Sequence, residues 1–184
     1  MSELWDADLC RRAAEFAAEA HAGQTMLGSD APYLLHVTSV AFEIARATAQ
    51  PGSSLVGDLA IPCAWLHDTI EDTEATVEQL EATFGSAVTR GVEALSKKPG
   101  LTKAEALADS IDRLKDQPTS VQAVKLGDRI VNLQPPPENW SIKKRMRYSE
   151  QAELILDQLG NADAHLAQRL RGAIDHYRRE HIPE

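Results

Sequence analysis

At 184 residues, with 43% hydrophobic, 26% charged and 5% aromatic side chains, the chain has the composition of an ordinary globular protein. Its formal net charge of −9 argues against general nucleic-acid binding, which needs a basic surface, and leaves room only for a local basic pocket around a small anion. No apolar run approaches the length of a membrane span, and the opening MSELWDADLCRR lacks the order of charged and apolar residues of a signal peptide, so a cytoplasmic protein without a membrane partner is expected.

In chain order, DADLCRRAAEFAAEAH predicts an amphipathic helix ending near Gly23, with Leu9, Ala13, Phe16, Ala17 and Ala20 at helical spacing. GQTMLGSDAP predicts a loop closed by Pro32, and YLLHVTSVAFEIARATA a second helix stopped before Pro51. After a Gly/Ser-rich connection comes LAIPCAWLHDTIEDT, an apolar run that finishes in a histidine and three carboxylates. Thr76 with Gln79 predicts a capping box for VEQLEATF, with Gly85 ending that helix and SAVTRGVEALSKK forming the next. Thr102 with Glu105 caps a helix to Lys115, and Thr119 with Gln122 is read as the cap of SVQAVKLGDRIVNL, which QPPPEN breaks. Ser141 precedes a long helix stopped by Gly160, and NADAHLAQRLRGAIDHYRREH supplies the last. No period-two alternation or long linker occurs, so the expectation is an all-α helical bundle forming a single domain over 1–184. Cys10 and Cys63 fall in helical stretches and are expected to be free thiols.

On an ideal helix of about 100° per residue, Asp68, Glu71 and Asp72 fall roughly 100°, 40° and 140° from His67, which puts all four in one arc. Leu59, Cys63, Leu66 and Ile70 take the opposite side. Such a polar group is costly to bury unpaired, and a divalent cation relieves that cost. Further donors exist. His36 is flanked by Leu34, Leu35 and Val37, and Asp128 sits in the apolar AVKLGDRIVNL, where Lys125, Asp128, Arg129 and Asn132 share one helix face. Taken singly, His36 reads as a hydrogen-bonded core histidine and Asp128 as an ion-pair partner of Lys125 and Arg129. Taken together with His67 and Asp68, they make a four-membered donor set. Two imidazoles and two carboxylates suit Mn²⁺, Fe²⁺ or Zn²⁺.

The order His36, His67-Asp68, Asp128 resembles the HD-domain metal-dependent phosphohydrolases. The stretches AHAGQ, PYLLHVTSVA, AWLHDTIEDT, FGSAV, VKLGDRIVNL and ENWS with Tyr148 are similar to the hydrolase domain of RelA/SpoT-type enzymes, the stand-alone small alarmone hydrolases of the metazoan SpoT-homologue kind in particular. That resemblance spans about Ala14 to Gly160 and leaves no room for a synthetase domain. It implies an all-helical HD fold, one Mn²⁺, and hydrolysis of the 3′-pyrophosphate of (p)ppGpp to GDP or GTP and pyrophosphate. It implies His36, His67, Asp68 and Asp128 as metal ligands, and Glu71 and Asp72 as the catalytic acidic pair. Lys125, Arg129 and Asn132 are placed to meet phosphate and ribose oxygens. Lys144, with Lys143, Arg145 and Arg147, is either a phosphate-facing rim or a solvated helix face, and Tyr148 matches a position near the bound nucleotide.

His21 reads as core packing or as support for the ligands, Trp5 and Trp65 read as packing residues, and His165, His176 and His181 carry no assigned chemistry. Departures from the family pattern include two losses of charge, both at binding positions, and one change that bears on helix packing. Thr25, Met26 and Leu27 stand where basic residues usually follow the glutamine, Gly127 replaces the usual alanine, and Gln134 stands where arginine is frequent. Three functions are therefore weighed: (p)ppGpp hydrolysis, an HD phosphohydrolase of another nucleotide phosphate such as a nucleoside phosphate or NADPH, and a non-catalytic HD domain that binds a nucleotide or a partner. Oligomeric state is not readable from the sequence.

Overall fold

The computed structural model describes residues 5–183; residues 1–4 and 184, the ends of the expected domain and of the MSELWDADLCRR stretch, lie outside the described residues. Helix α1 (Ala7–Ala20) starts where Asp6 accepts from the Leu9 amide at 2.9 Å, and it buries Ala13 and Ala17. Helix α2 (Leu34–Thr48) buries the stripe His36, Val37, Val40, Ala41, Ile44 and Ala47. Helix α3 (Gly57–Leu66) is apolar nearly all round and lies in the interior, followed by the single turn α4 (Thr69–Asp72). Helix α5 (Val77–Leu95) opens on the Thr76–Gln79 capping box and is broken at Gly85, whose φ of 78° favours glycine; the two expected helices meet there. Helix α6 (Lys103–Lys115) opens on the Thr102–Glu105 box. Helices α7 (Thr119–Asn132), α8 (Ile142–Leu159) and α9 (Ala164–His181) follow, with a 3-10 turn at Gly160–Ala162.

The all-α expectation holds: among the described residues the one extended pairing is an isolated bridge from Thr25 to Pro32. That bridge, with Met26 N–H donating to Ala31 O at 2.9 Å and Tyr33 N–H to Gln24 O at 2.9 Å, pins the loop between α1 and α2. Helix α7 runs through the centre, packed against α2, α3, α8 and α9. From Ala123 to Ile130 every position of α7 is buried, including Lys125, Asp128 and Arg129. Gly127 permits this, because a Cβ there would stand 3.0 Å from Ile44 Cδ1. Cys10 and Cys63 are free, as expected. Trp5 and Trp65 pack against the core. No helix of the described residues is long and apolar enough to cross a membrane.

Three boundaries differ from the sequence reading. Pro118, extended at ψ 148°, precedes α7, and Thr119 is already helical; Gln122 turns its side chain back to the Gln117 carbonyl at 2.8 Å in place of completing a box. SAVTRGVEALSKK stops at Leu95, because Ser96 is extended and the Lys97 amide is taken by Glu71. HDTIEDT is not one continuous helix. α3 ends at Leu66, Asp68 sits at φ −104°, ψ 0°, and a fresh turn begins at Thr69.

Tight packing around α5 gives a matched pair of substitutions. A Cβ on Gly91 would meet Cys63 Sγ at 2.7 Å and Val121 Cγ2 at 3.0 Å, whereas one on Gly172 would meet nothing within 4 Å. Gly91→Ala is expected to destabilise by about 1–2 kcal/mol, overpacking outweighing the gain in helix propensity. Gly172→Ala is expected to stabilise by about 0.5–1 kcal/mol. Urea denaturation of the two variants measures both signs.

Candidate active site

The break between α3 and α4 positions the site. His67 closes α3, and its ring Nδ1 donates to the Ala64 carbonyl at 2.8 Å. A carbonyl only accepts, so in the neutral ring the proton sits on Nδ1 and the Nε2 lone pair faces inward. From α2, His36 brings its own Nε2 to 3.3 Å from that atom. The bridge-region backbone of Asp68 swings its carboxylate back over the imidazoles, with Oδ2 2.9 Å from His67 Nε2 and 3.6 Å from His36 Nε2. From α7, Asp128 Oδ1 lies 3.6 Å from His36 Nε2 and 3.9 Å from His67 Nε2. The ligand atoms of His36, His67 and Asp128 all lie within 4.8 Å of one another, and all three residues are buried.

This donor set fits a divalent cation. Two inward nitrogens at 3.3 Å repel unless something positive stands between or on them. Adjacent ligands about 2.1 Å from an octahedral cation stand roughly 3 Å apart, close to the observed spacing. The same frustration sets the electrostatics. Burial opposes charge on His67, but the facing carboxylates of Asp68 and Asp128 outweigh it and push its pKa up to about 9. Burial likewise raises Asp68 and Asp128, and the imidazoles, with Tyr33 for Asp68 and Lys125 for Asp128, overcome it and hold both below the ordinary carboxylate range.

Neighbouring groups fix these donors. Tyr33 Oη donates to Asp68 Oδ2 at 2.5 Å. Lys125 Nζ donates to Asp128 Oδ2 at 3.2 Å, and Asn132 Nδ2 donates to Asp128 Oδ1. Glu71 is clamped by Lys97, whose amide reaches Oε2 at 2.8 Å and whose ammonium reaches Oε1 at 2.5 Å. Asp72 carries no such clamp. Burial and the charges of Asp68 and Glu71 raise its pKa, and Gln24 holds the turn beneath it by donating to the Asp72 carbonyl at 2.6 Å. Gln24 is itself held by the buried His21, whose Nδ1 donates to Oε1 at 2.8 Å, which places His21 in support of the site.

Two cavities meet at the donors. One, of about 460 Å³, is rich in charged groups and lined by Asp68, Glu71, Asp72, Lys125, Asp128 and Arg129. The other, of about 280 Å³, is mainly apolar and lined by Met26, Leu27, Pro135, Pro137, Trp140 and Tyr177, with His36 at its inner end. Tyr33, Asn132 and Tyr148 line both and form the waist between them. Tyr148 carries the Arg129 guanidinium 4.8 Å above its ring centre. Lys144 lies farther out, with its ammonium 3.9 Å from the centre of the Trp140 ring, in a side recess. Arg145 belongs to neither cavity; it ties α8 to the end of the chain through the Trp140 and His181 carbonyls.

Thus His36, His67, Asp68 and Asp128 converge, Glu71, Asp72, Lys125, Arg129, Asn132 and Tyr148 surround them, and Lys144 stands apart. The sequence reading missed Tyr33, Lys97 and Trp140. Tyr33 was within reach, since it stands three residues before His36 on the same helix face. Lys97 gave no local signal, being 26 positions from Glu71.

Residues 13–170 match the HD-domain family. The chain belongs to that family. Among similar HD proteins is guanosine-3′,5′-bis(diphosphate) 3′-pyrophosphohydrolase MESH1 of Danio rerio, 32% identical over 85% of this chain and 87% of that one. The MESH1 of Homo sapiens is 29% identical over 86% of this chain and 89% of its own length. The solved structure of a metazoan orthologue of SpoT covers 93% of this chain and 96% of its own, with a TM-score of 0.81 at 24% identity, a likeness of fold.

Arg129 gives a direct check that this site trades stability for function. It is buried, and its Nε and Nη1 have no hydrogen-bond partner. Arg129→Met is expected to leave stability unchanged or raise it by up to about 1 kcal/mol, because a buried guanidinium with two unpaired nitrogens is removed and methionine keeps the contact with the Tyr148 ring. A fall of several degrees in Tm would show that the guanidinium instead holds the fold together.

Proposed function

We propose that the chain, working as one HD domain, is a Mn²⁺-dependent hydrolase of the 3′-pyrophosphate of (p)ppGpp, yielding GDP or GTP and pyrophosphate. The observation that carries this reading is the convergence of two imidazoles and two carboxylates where a charged cavity meets an apolar one. A nucleotide has that same division, phosphates at one end and a planar base at the other. The names of the MESH1 relatives supply the alarmone.

In this reading His36, His67, Asp68 and Asp128 would hold the cation. When bound, the ion supplies Lewis-acid polarisation and a water acidified towards neutral pH. Lys125 and Arg129 meet the oxygens of the scissile group in the charged cavity. Asn132 and Tyr33 keep Asp128 and Asp68 in place. The water oxygen bonds to the phosphorus attached at the ribose 3′ oxygen, that P–O bond breaks, and the 3′ oxygen gains a proton. Asp72, with its raised pKa and free carboxyl group, carries the proton, while Glu71, fixed by Lys97, orients the water. Tyr148 and the apolar chamber receive ribose and base.

A second reading has its own support. Met26 and Leu27 line the base chamber where basic residues were expected, which favours hydrolysis of a different nucleotide phosphate. Purified protein with Mn²⁺, tested on ppGpp and a panel of nucleotides, separates the two. Pyrophosphate release from ppGpp is expected; its absence, with turnover of another nucleotide, would overturn the first reading in favour of the second. Asp68→Ala is expected to lower turnover by more than about 100-fold, and Asp72→Asn to lower kcat by about 10²–10⁴-fold with little change in KM.

Cation binding is also expected to depend on pH with a definite sign. His67 must lose its proton to act as a ligand, and its pKa is pushed up to about 9. Below that value each bound ion displaces one proton, so the apparent affinity for Mn²⁺ rises by about tenfold per pH unit. Calorimetric titration between about pH 6 and 8 checks the slope, and a flat profile would contradict the raised pKa of His67.

A further inference from the structure

Helix α9 contributes one residue to the wall of the apolar chamber, Tyr177. It lies beyond the stretch 13–170 that matches the HD-domain family. The side chain is 1% exposed, and its Oη is buried with no hydrogen-bond partner among the described residues. Buried hydroxyls are ordinarily bonded, so an orphan in the wall of a cavity calls for a cause. Phenylalanine would fill the same space without burying a polar atom. Packing accounts for the ring, whose centre stands 6.1 Å from that of Tyr148 and 5.2 Å from that of His181, and does not account for the hydroxyl.

The other polar groups around the chamber are committed or face water. Tyr33 donates to Asp68, Asn132 donates to Asp128, and Tyr148 Oη donates to the Asn132 carbonyl at 3.4 Å. His36 belongs to the donor set, Trp140 turns its ring face to the Lys144 ammonium, and Gln134 is exposed. Because Tyr177 is part of the wall, its hydroxyl lies within one side chain's reach of anything the chamber holds. We infer that Tyr177 is a specificity-determining residue, whose hydroxyl donates to a carbonyl oxygen on the edge of the base. A phenol can donate and accept, and in an apolar wall its acidic O–H makes the stronger bond as donor. The ligand class is a nucleotide with an oxo base such as guanine. Adenine carries an amino group at the corresponding position, so that donor would face donor and one of them would stay unpaired. This rests on the nucleotide reading given above and adds which base the chamber accepts.

The test uses binding, which does not depend on turnover. Affinities of GDP and ADP are measured by calorimetry on the full chain, for the wild type and for Tyr177→Phe, together with the Tm of each protein. The wild type is expected to bind GDP at least about fivefold more tightly than ADP. Tyr177→Phe is expected to weaken GDP about five- to tenfold, to leave ADP within about twofold, and to hold or raise Tm, since an unpaired polar atom is removed. A wild type without preference for GDP, an unchanged GDP affinity in the variant, or an equal loss for both nucleotides overturns the inference. A fall of several degrees in Tm also overturns it, because the hydroxyl would then serve the fold. Failure of the wild type to bind either nucleotide strikes the nucleotide reading itself and this inference with it. Failure to hydrolyse ppGpp alone strikes the proposed reaction and leaves the measured base preference to decide this point.

Discussion

Two imidazole nitrogens held 3.3 Å apart in the protein interior, with two carboxylates closing on them, are the constraint on which the rest of the structure depends. Left alone, such a set is unfavourable, since buried charge is costly. The fold therefore restrains it from every side. Ala64 fixes one ring, Tyr33 one carboxylate, and Lys125 and Asn132 the other. The apolar lead-in LAIPCAWL acquires its purpose here. It is an interior rod that delivers His67 and Asp68 to a fixed point, and its ending at Leu66 lets Asp68 turn back over the ring that precedes it.

Helix α7 is the second rod. Its burial forces Lys125, Asp128 and Arg129 inside, and its close approach to α2 depends on the missing Cβ of Gly127 against Ile44. The two rods and α2 bring together residues that are about 30 and 90 positions apart along the chain. Such long-range placement is why His36 and Asp128 ride on rigid helices and the His67-Asp68 turn is held directly between α3 and α4. Glu71 and Asp72 ride on the short turn α4, and each is restrained differently: Glu71 by Lys97, the backbone beneath Asp72 by Gln24.

Much of this was legible in the sequence, and the exceptions have physical causes. The capping boxes at Thr76 and Thr102 announced their helices because both partners lie within four residues. The donor set was legible because each donor breaks an apolar pattern that would otherwise continue. Thr119 misled because Pro118 offers the entry to α7 one residue earlier, and a proline's fixed φ is a local preference that competes with a capping side chain. Placing HDTIEDT on one ideal helix misses the break after Leu66, because periodicity reports which face a residue takes and is blind to a single bridge-region residue. Lys97 was out of reach, since its partner Glu71 lies on another element.

The central claim is that His36, His67, Asp68 and Asp128 form one cation site. Anomalous diffraction from crystals grown with Mn²⁺ tests it most directly. The account predicts a single strong peak within ligand distance of both Nε2 atoms and of the carboxylates from α7 and from the break after α3. A peak elsewhere, or none at this point with the ion present in excess, would contradict it.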